Sequence, residues 1–113
     1  MNEPALAGVR IADFTWAWAG TWATTLLAVS GAEVIKIESM RRPDHVRKYS
    51  LTTGQLFAGD LDHSPIFSDL NLNKLGITLD LKKPRAVELA RRLIGVSDVV
   101  AENMRPGVMD RLG

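Results

Sequence analysis

Four cationic side chains lie within eight consecutive residues and could bind phosphate: Arg41, Arg42, Arg47 and Lys48. A guanidinium group suits a phosphate because it can donate two parallel hydrogen bonds to it. A run of charges is also typical of a solvated loop that binds nothing. The run by itself leaves both interpretations open.

Three tryptophans precede this run: Trp16, Trp18 and Trp22. An indole ring at a turn can stack on a purine, which stabilises binding by about 1–3 kcal/mol. The alternative is packing against a sheet, which we expect for at least two of the three rings. For Trp18 both interpretations stay open. The glycine-rich fingerprints of dinucleotide-binding turns and phosphate-binding loops are absent from the sequence.

A third polar set lies near the end of the sequence and consists of Asn103, Arg105 and Arg111. The Asn103 amide can cap a backbone group as readily as it can contact a ligand. Arg111 could reach a phosphate or the carboxylate at the end of the chain. These residues therefore indicate a polar turn without specifying its ligand.

Groups suited to covalent or acid–base chemistry are few. The sequence has no cysteine, which excludes a thiol nucleophile, a disulfide and a cysteine-based zinc site. His45 and His63 lack the spacing of metal ligands. Asp13 and Asp80 lie in apolar segments, and we expect a structural role for both. No catalytic residue and no metal ligand is assigned.

Composition and charge narrow the class of protein. The 113 residues carry 14 Lys+Arg and 13 Asp+Glu, and a net charge of +1 argues against a broadly basic nucleic-acid binder. We expect one domain.

Residues 14–32 are uncharged and approach the ~20 residues of a membrane span, but they include five hydroxyl side chains and Gly20. With no basic amino-terminal signal region, the protein is expected to be cytoplasmic and without a membrane span.

Alternating apolar and polar residues predict four strands, over residues 9–14, 33–38, 77–81 and 98–102. Apolar residues three and four positions apart predict one helix that ends before Gly31 and another that runs from Pro84 to a stop before Gly95. This alternation of strands and helices is typical of an α/β fold with a doubly wound sheet.

Two further segments complete the predicted organisation. Residues 39–73 form a long excursion from the sheet, with a short helix near Leu56 and Phe57, and Val108 to Leu112 opens a last helix. Ligands of doubly wound sheets bind at the carboxyl ends of the strands. The turn from Trp16 to Gly20, the segment after Glu38 and the turn after Glu102 are therefore the expected binding places, for a phosphorylated or nucleotide-like ligand.

Several blocks of the sequence resemble the amino terminus of the family III CoA-transferases, which include formyl-CoA and carnitine CoA-transferases and the related α-methylacyl-CoA racemases. The blocks cover nearly the whole chain in the family's order, at residues 6–15, 19–20, 31–38, 71–74, 77–82, 98–107 and 109–113. The resemblance implies that residues 1–113 are the amino-terminal part of a CoA-binding, Rossmann-like domain with a mostly parallel sheet. It also implies an interlocked homodimer that acts on an acyl-CoA and a carboxylic acid, with no permanently bound cofactor.

The resemblance also implies which residues contact coenzyme A. Trp18 and Ala19 would line the adenine side. The CoA channel would be bordered by Leu79, Asp80, Leu81 and Lys82. The pantetheine or phosphate region would be contacted by Asn103, Met104 and Arg105, with Arg111 near the phosphates.

Two positions depart from the family pattern. The family often has an arginine after the strand that ends at Glu38, whereas this chain has Ser39, for which Arg41 or Arg42 could substitute. The family's Gly-Pro after the first strand is Gly20-Thr21 here, and we expect this to loosen the turn.

The resemblance places catalysis outside these residues. The family's transferases use an aspartate nucleophile, and this residue and the racemases' acid–base residues lie downstream of the last matching block. We therefore expect the chain by itself to be inactive, as a fragment, a truncated product or one piece of a split protein. The leading hypothesis is a CoA-transferase. A racemase of the same fold, a non-catalytic CoA- or nucleotide-binding module and a non-functional fragment with a sheet edge open to pairing are the alternatives.

Overall fold

A computed structural model describes residues 2–49 and 60–113, and four strands in these ranges form one parallel sheet. The strands are β1 (Arg10–Asp13), β2 (Glu33–Glu38), β3 (Leu75–Thr78) and β4 (Val99–Ala101), in the spatial order β3-β2-β1-β4. The helices are α1 (Ala19–Val29), α2 (Pro65–Asp69), α3 (Pro84–Gly95) and α4 (Val108–Leu112), and short 3-10 turns cover His45–Arg47 and Leu61–His63.

Each face of the sheet packs against a different helix, because successive side chains of a strand point to opposite faces. The cluster on the α1 face consists of Ile11, Ala28, Ala32 and Val34. The cluster on the α3 face consists of Ala12, Phe14, Ile37 and Ala90. Helices on both faces of a parallel sheet confirm the predicted doubly wound α/β fold.

The strand register brings charged residues side by side at one end of the sheet. Asp13 is the register partner of Lys36, since β1 and β2 run in parallel from the pair Arg10 and Glu33. Both residues lie two positions beyond the apolar pair Ile11 and Val34, and hence on the α1 face. That face is apolar at the amino ends of the strands and charged at their carboxyl ends.

Two predicted elements have wrong boundaries. β3 begins at Leu75 rather than at residue 77. It ends at Thr78 rather than at residue 81, because Leu79 and Leu81 both turn into the cluster on the α3 face and their alternation continues outside the strand. Gly95 is the last residue of α3 rather than the residue beyond its end, and Val96 is the C-cap. The helix predicted near Leu56 and Phe57 falls outside the described residues.

Gly31 ends α1 as predicted, with a left-handed φ of 107° that a glycine adopts without strain. A Cβ atom at this position would lie 2.3 Å from Cβ of Pro4, so the neighbouring chain also requires glycine here. The described helices include none with the length and apolar character to cross a membrane.

Gly95→Ala is expected to raise the free energy of unfolding by up to about 0.5–1 kcal/mol, because alanine favours the helical conformation over glycine and residue 95 is helical. Among the described residues, apart from the chain neighbours and the backbone of α3, no heavy atom lies within 4 Å of the Cβ that alanine would add, so no clash opposes this gain. Urea denaturation of the variant and the unmodified chain measures the difference.

Gly31→Ala is the matched control for this substitution. It should lower stability, because the same added methyl group meets Pro4 and an unfavourable φ. Destabilisation by Gly95→Ala would contradict the assignment of residue 95 to α3.

Candidate functional site

Asp13, at the end of β1, is completely buried and is bound on both carboxylate oxygens. Its Oδ1 accepts hydrogen bonds from the backbone N–H and the hydroxyl of Thr15, at 2.9 and 2.5 Å. Its Oδ2 accepts one from the Thr24 hydroxyl at 2.7 Å and lies 3.0 Å from Nζ of Lys74. The structural role expected for Asp13 is confirmed, since every contact is internal.

Lys74 reaches Asp13 from the loop before β3 and has a side chain only 2% exposed. Its ammonium group also donates to the Thr21 carbonyl oxygen at 3.0 Å and to Oδ1 of Asn71 at 3.1 Å. Burial lowers the pKa of Lys74, and the charge of Asp13 offsets only part of this effect. The loop before β3 is thus tied to α1 and β1 by one buried cation.

A second buried ion pair joins Lys36 of β2 to Asp44. Nζ of Lys36 donates to the Thr15 carbonyl oxygen at 2.8 Å and lies 2.9 Å from Oδ2 of Asp44. The angle at this second contact is outside hydrogen-bond geometry, so the interaction is ionic. Both side chains are at most 2% exposed.

Oδ1 of Asp44 binds backbone on two different loops. It accepts a hydrogen bond from the N–H of Ala17 at 3.0 Å and another from the N–H of Val46 at 3.2 Å. The backbone N–H of Asp44 itself donates to Oε2 of Glu38 at 3.0 Å. The loop after β2 is therefore attached to the turn after β1 through this side chain.

Arg47 belongs to the cationic run but is held by the protein itself. Its guanidinium donates to both carboxylate oxygens of Glu38, at 2.9 and 2.7 Å, and lies 3.4 Å from the centre of the Phe67 ring. Burial would raise the pKa of Glu38, but the hydrogen bonds from Arg47 and from the Asp44 N–H, together with the charges of Arg47 and Lys36, outweigh this effect, and the pKa lies below its ordinary value of 4.5. Arg47 thus has a structural role.

The turn after β1 is fixed from the opposite side by Asn103. The Asn103 amide accepts a hydrogen bond from the N–H of Trp16 and donates one to its carbonyl oxygen, both at 2.8 Å. A Cβ atom on Gly20 would lie 3.0 Å from Cγ of Asn103 and 2.9 Å from Cβ of Thr15, so glycine permits this close approach. Of the two roles left open for Asn103, the structure shows the backbone cap.

The Trp16 ring is flanked by two side chains of the loop after β2. The guanidinium of Arg42 lies 5.5 Å from the centre of the indole, and the His45 ring meets it edge-on at 5.6 Å. Arg41, which is exposed, lies 3.8 Å from Asp80. The turn after β1, the loop after β2 and the segment after β3 therefore meet at one edge, as the strand-end rule predicts.

Trp18 and Ala19 form the start of α1, and both are exposed. Trp18 is 54% exposed and Trp22, one helical turn later, is 50% exposed. The prediction that at least two of the three indole rings pack against the sheet is therefore wrong. An open apolar groove of about 370 Å³ lies beside the two exposed rings, lined by Trp18, Trp22, Ile66, Asp69, Leu70 and Leu72.

The segment after β3 has two kinds of side chain. Leu79 and Leu81 pack against the cluster on the α3 face. Asp80 accepts a hydrogen bond from the backbone N–H of Lys82 at 3.2 Å, and the Lys82 side chain is exposed. Only Lys82 among these four residues has a cation free to face a large ligand.

The segment after β4 follows the same pattern. Met104 packs against the cluster on the α3 face, whereas Arg105 and Arg111 are exposed. In the described residues, no hydrogen bond or ion pair joins Arg105 or Arg111 to the turn at Trp16. Asn103 is the member of this segment that reaches the other strand ends.

Sequence reasoning missed Lys36, Glu38, Asp44 and Lys74 as members of this edge. Lys36 carried a usable signal, because it lies two positions after Val34 and therefore on the same face of the strand, which a doubly wound fold covers with a helix. A buried lysine needs an anionic partner, and Asp44 is an acid in the loop that follows.

A family model described as CoA-transferase family III matches residues 6–113. Formyl-CoA:oxalate CoA-transferases of Afipia carboxidovorans and Rhodopseudomonas palustris are 46% and 45% identical over 109 residues, which is 96% of this chain and 24% of each relative. The chain thus spans about a quarter of the length of these curated relatives.

Solved structures show the same likeness. A CaiB/BaiF family protein of Brucella suis is 30% identical with a TM-score of 0.82, over 98% of this chain and 29% of that one. A hypothetical protein of Mycobacterium tuberculosis is 35% identical with a TM-score of 0.79, over 97% of this chain and 28% of that one.

Glu38→Gln is expected to lower the free energy of unfolding at pH 7 by about 1.5–3 kcal/mol, the usual range for a hydrogen bond to a charged group. Because folding lowers the pKa of Glu38, its stabilisation is complete above pH 4.5 and is lost as the pH falls through the folded-state value. The difference between variant and unmodified chain should therefore shrink in acid.

Urea denaturation at pH 7 and pH 3 measures this effect. Glu33→Gln is the control, because Glu33 pairs with Arg10 on the surface and should contribute less than about 1 kcal/mol. An equal effect of Glu38→Gln at both pH values would contradict the ionic role of Glu38.

Proposed function

This chain belongs to CoA-transferase family III, and we propose that it binds coenzyme A at the carboxyl edge of its parallel sheet. The observation that carries the proposal is the meeting of three strand-end segments at this edge, around Trp16, Arg42 and Asn103. Ligands of doubly wound sheets bind at this edge because the loops that follow the strands converge there.

The phosphates of coenzyme A would be bound by side chains rather than by a glycine-rich backbone loop. The sequence lacks such a loop, and the edge offers exposed cations instead, among them Arg42, Lys82 and Arg105. Arg47 does not contribute, because Glu38 already occupies its guanidinium. The family resemblance assigns Arg111 to the phosphates, Arg105 to the pantetheine or phosphate region and Lys82 to the border of the CoA channel.

The remaining assigned residues would act in different ways. Trp18 and Ala19 are exposed at the start of α1 and can contact the adenine side directly. Leu79, Leu81 and Met104 point into the core, so we propose that their backbone borders the CoA channel. Asn103 would act by holding the turn at Trp16, since its amide is engaged there.

We further propose that the whole protein transfers CoA between carboxylic acids, with the catalytic aspartate outside these residues. The formyl-CoA:oxalate CoA-transferases that it resembles support this reaction over that of the racemases. The homodimer implied by the family resemblance and the cytoplasmic location expected from the sequence are part of the same proposal.

Calorimetric titration of the folded chain with coenzyme A tests the proposed site. We expect weak saturable binding, weakened about tenfold or more in a Lys82→Ala/Arg111→Ala variant, because each lost phosphate contact removes electrostatic attraction. Arg85→Ala/Arg92→Ala removes the same charge from exposed positions of α3 and should leave binding unchanged. A folded chain that binds no coenzyme A at millimolar concentration would overturn the proposal.

Trp18→Ala should weaken coenzyme A binding by about 1–3 kcal/mol if this indole stacks on the adenine. Trp22→Ala is the matched control, because Trp22 has nearly the same exposure one turn further along α1. Equal affinities for the two variants, measured by the same titration, would remove Trp18 from the adenine contact.

A further inference from the structure

We propose that Asp44 is a positioning residue of the CoA site, which sets the turn at Trp16 and Ala17 relative to the loop that carries Arg42 and His45. This inference rests on the proposed function, because it concerns the same edge of the sheet. Asp44 itself is completely buried and cannot touch a ligand there.

The turn at Ala17 requires an external restraint. Ala17 has a φ of 60°, a left-handed conformation that is unfavourable for alanine because its Cβ crowds the following carbonyl oxygen. Its backbone N–H is bound by Oδ1 of Asp44 at 3.0 Å. The preceding residue, Trp16, is held on both backbone groups by Asn103. The two side chains together fix the direction in which the chain enters α1 at Trp18.

The same Asp44 oxygen also fixes the second loop. Oδ1 accepts from the N–H of Val46 at 3.2 Å and thereby closes the 3-10 turn His45–Arg47. Arg42, two residues before Asp44, and His45, directly after it, flank the Trp16 ring. A displacement of Asp44 would therefore move both the turn that carries Trp16 and the loop that carries Arg42 and His45.

The donors around the Asp44 side chain require a carboxylate rather than an amide. Oδ1 faces two backbone N–H donors, and Oδ2 lies 2.9 Å from the ammonium of Lys36. Both oxygens thus face donors only. An asparagine, whichever way its amide is turned, would point its NH₂ group at a donor. Removal of the Lys36 ammonium would relieve this conflict and leave Oδ1 free to hold Ala17, but it would also remove the hydrogen bond that Lys36 donates to the Thr15 carbonyl oxygen at 2.8 Å.

Three variants test the proposal: Asp44→Ala, Asp44→Asn and the double variant Asp44→Asn/Lys36→Met. Hydrogen exchange of the Ala17 amide, followed by NMR, reports the restraint without any ligand. Titration calorimetry with coenzyme A reports the site. Val34→Ala is the control for general destabilisation, because Val34 is buried at the opposite end of β2 in the cluster on the α1 face.

We expect Asp44→Ala and Asp44→Asn to speed exchange at Ala17 and to weaken coenzyme A binding about tenfold or more, because a misplaced binding group loses preorganisation. Relative to Asp44→Asn, the double variant should slow exchange at Ala17 and bind coenzyme A more tightly, because an amide oxygen can then face both backbone N–H donors while no ammonium faces the NH₂ group. Val34→Ala should lower stability with neither effect. If Asp44→Ala does not fold, the comparison of the asparagine variants still decides the question.

Unchanged affinity in Asp44→Asn, or rapid exchange at Ala17 with normal affinity, would overturn the positioning role and leave the proposed function intact. Failure of the unmodified folded chain to bind coenzyme A is a separate result, which overturns the proposed function and the positioning role together.

Discussion

Two buried ion pairs at the carboxyl ends of the central strands determine how this protein is arranged around its sheet. Asp13 with Lys74 and Lys36 with Asp44 place four charged side chains where almost no solvent reaches them. Removing an ion from water costs several kcal/mol, so each charge needs a partner at close range and hydrogen bonds on its remaining atoms. Hydroxyl and carbonyl oxygens of α1 and of the turn after β1 meet this need at Thr15, Thr21 and Thr24.

This requirement explains why α1 is uncharged without being uniformly apolar. Three threonines on the buried side of the helix are at most 2% exposed: Thr21, Thr24 and Thr25. They pack where the face is polar, while Ala28 reaches the apolar cluster near the amino ends of the strands. This division of the α1 face into a polar and an apolar part fits the proposed function. Ion pairs and hydrogen bonds to backbone groups restrain the carboxyl edge of the sheet, which would contact the ligand, and the apolar cluster stabilises the amino ends of the strands.

The sequence predicted the parallel sheet, three of the four strands to within a residue or two and the first residue of α3, because these depend on local periodicity and on glycine and proline. It failed where tertiary packing decides the outcome. The alternation of Leu79 and Leu81 continues past the end of β3 because both side chains turn into the core. The cationic run could not reveal that Arg47 is paired with Glu38, since that pair depends on where the loop after β2 folds back. The Asn103 amide could cap a backbone group or contact a ligand, and only the position of Trp16 in the fold decides between these two roles.

The two departures from the family pattern can be understood from these contacts. Thr21 replaces a proline that would restrict the turn, yet the turn at Trp16 and Ala17 is bound by Asn103 on one side and Asp44 on the other. The contacts therefore do not support the expectation of a looser turn, because the side chains of Asn103 and Asp44 restrain the turn in place of a proline ring. Ser39 lacks the charge of an arginine, and its carbonyl oxygen accepts a hydrogen bond from the N–H of Arg42 at 3.1 Å in a tight turn. That turn places the Arg42 guanidinium over Trp16, so a cation reaches the edge of the sheet from three residues further along the chain.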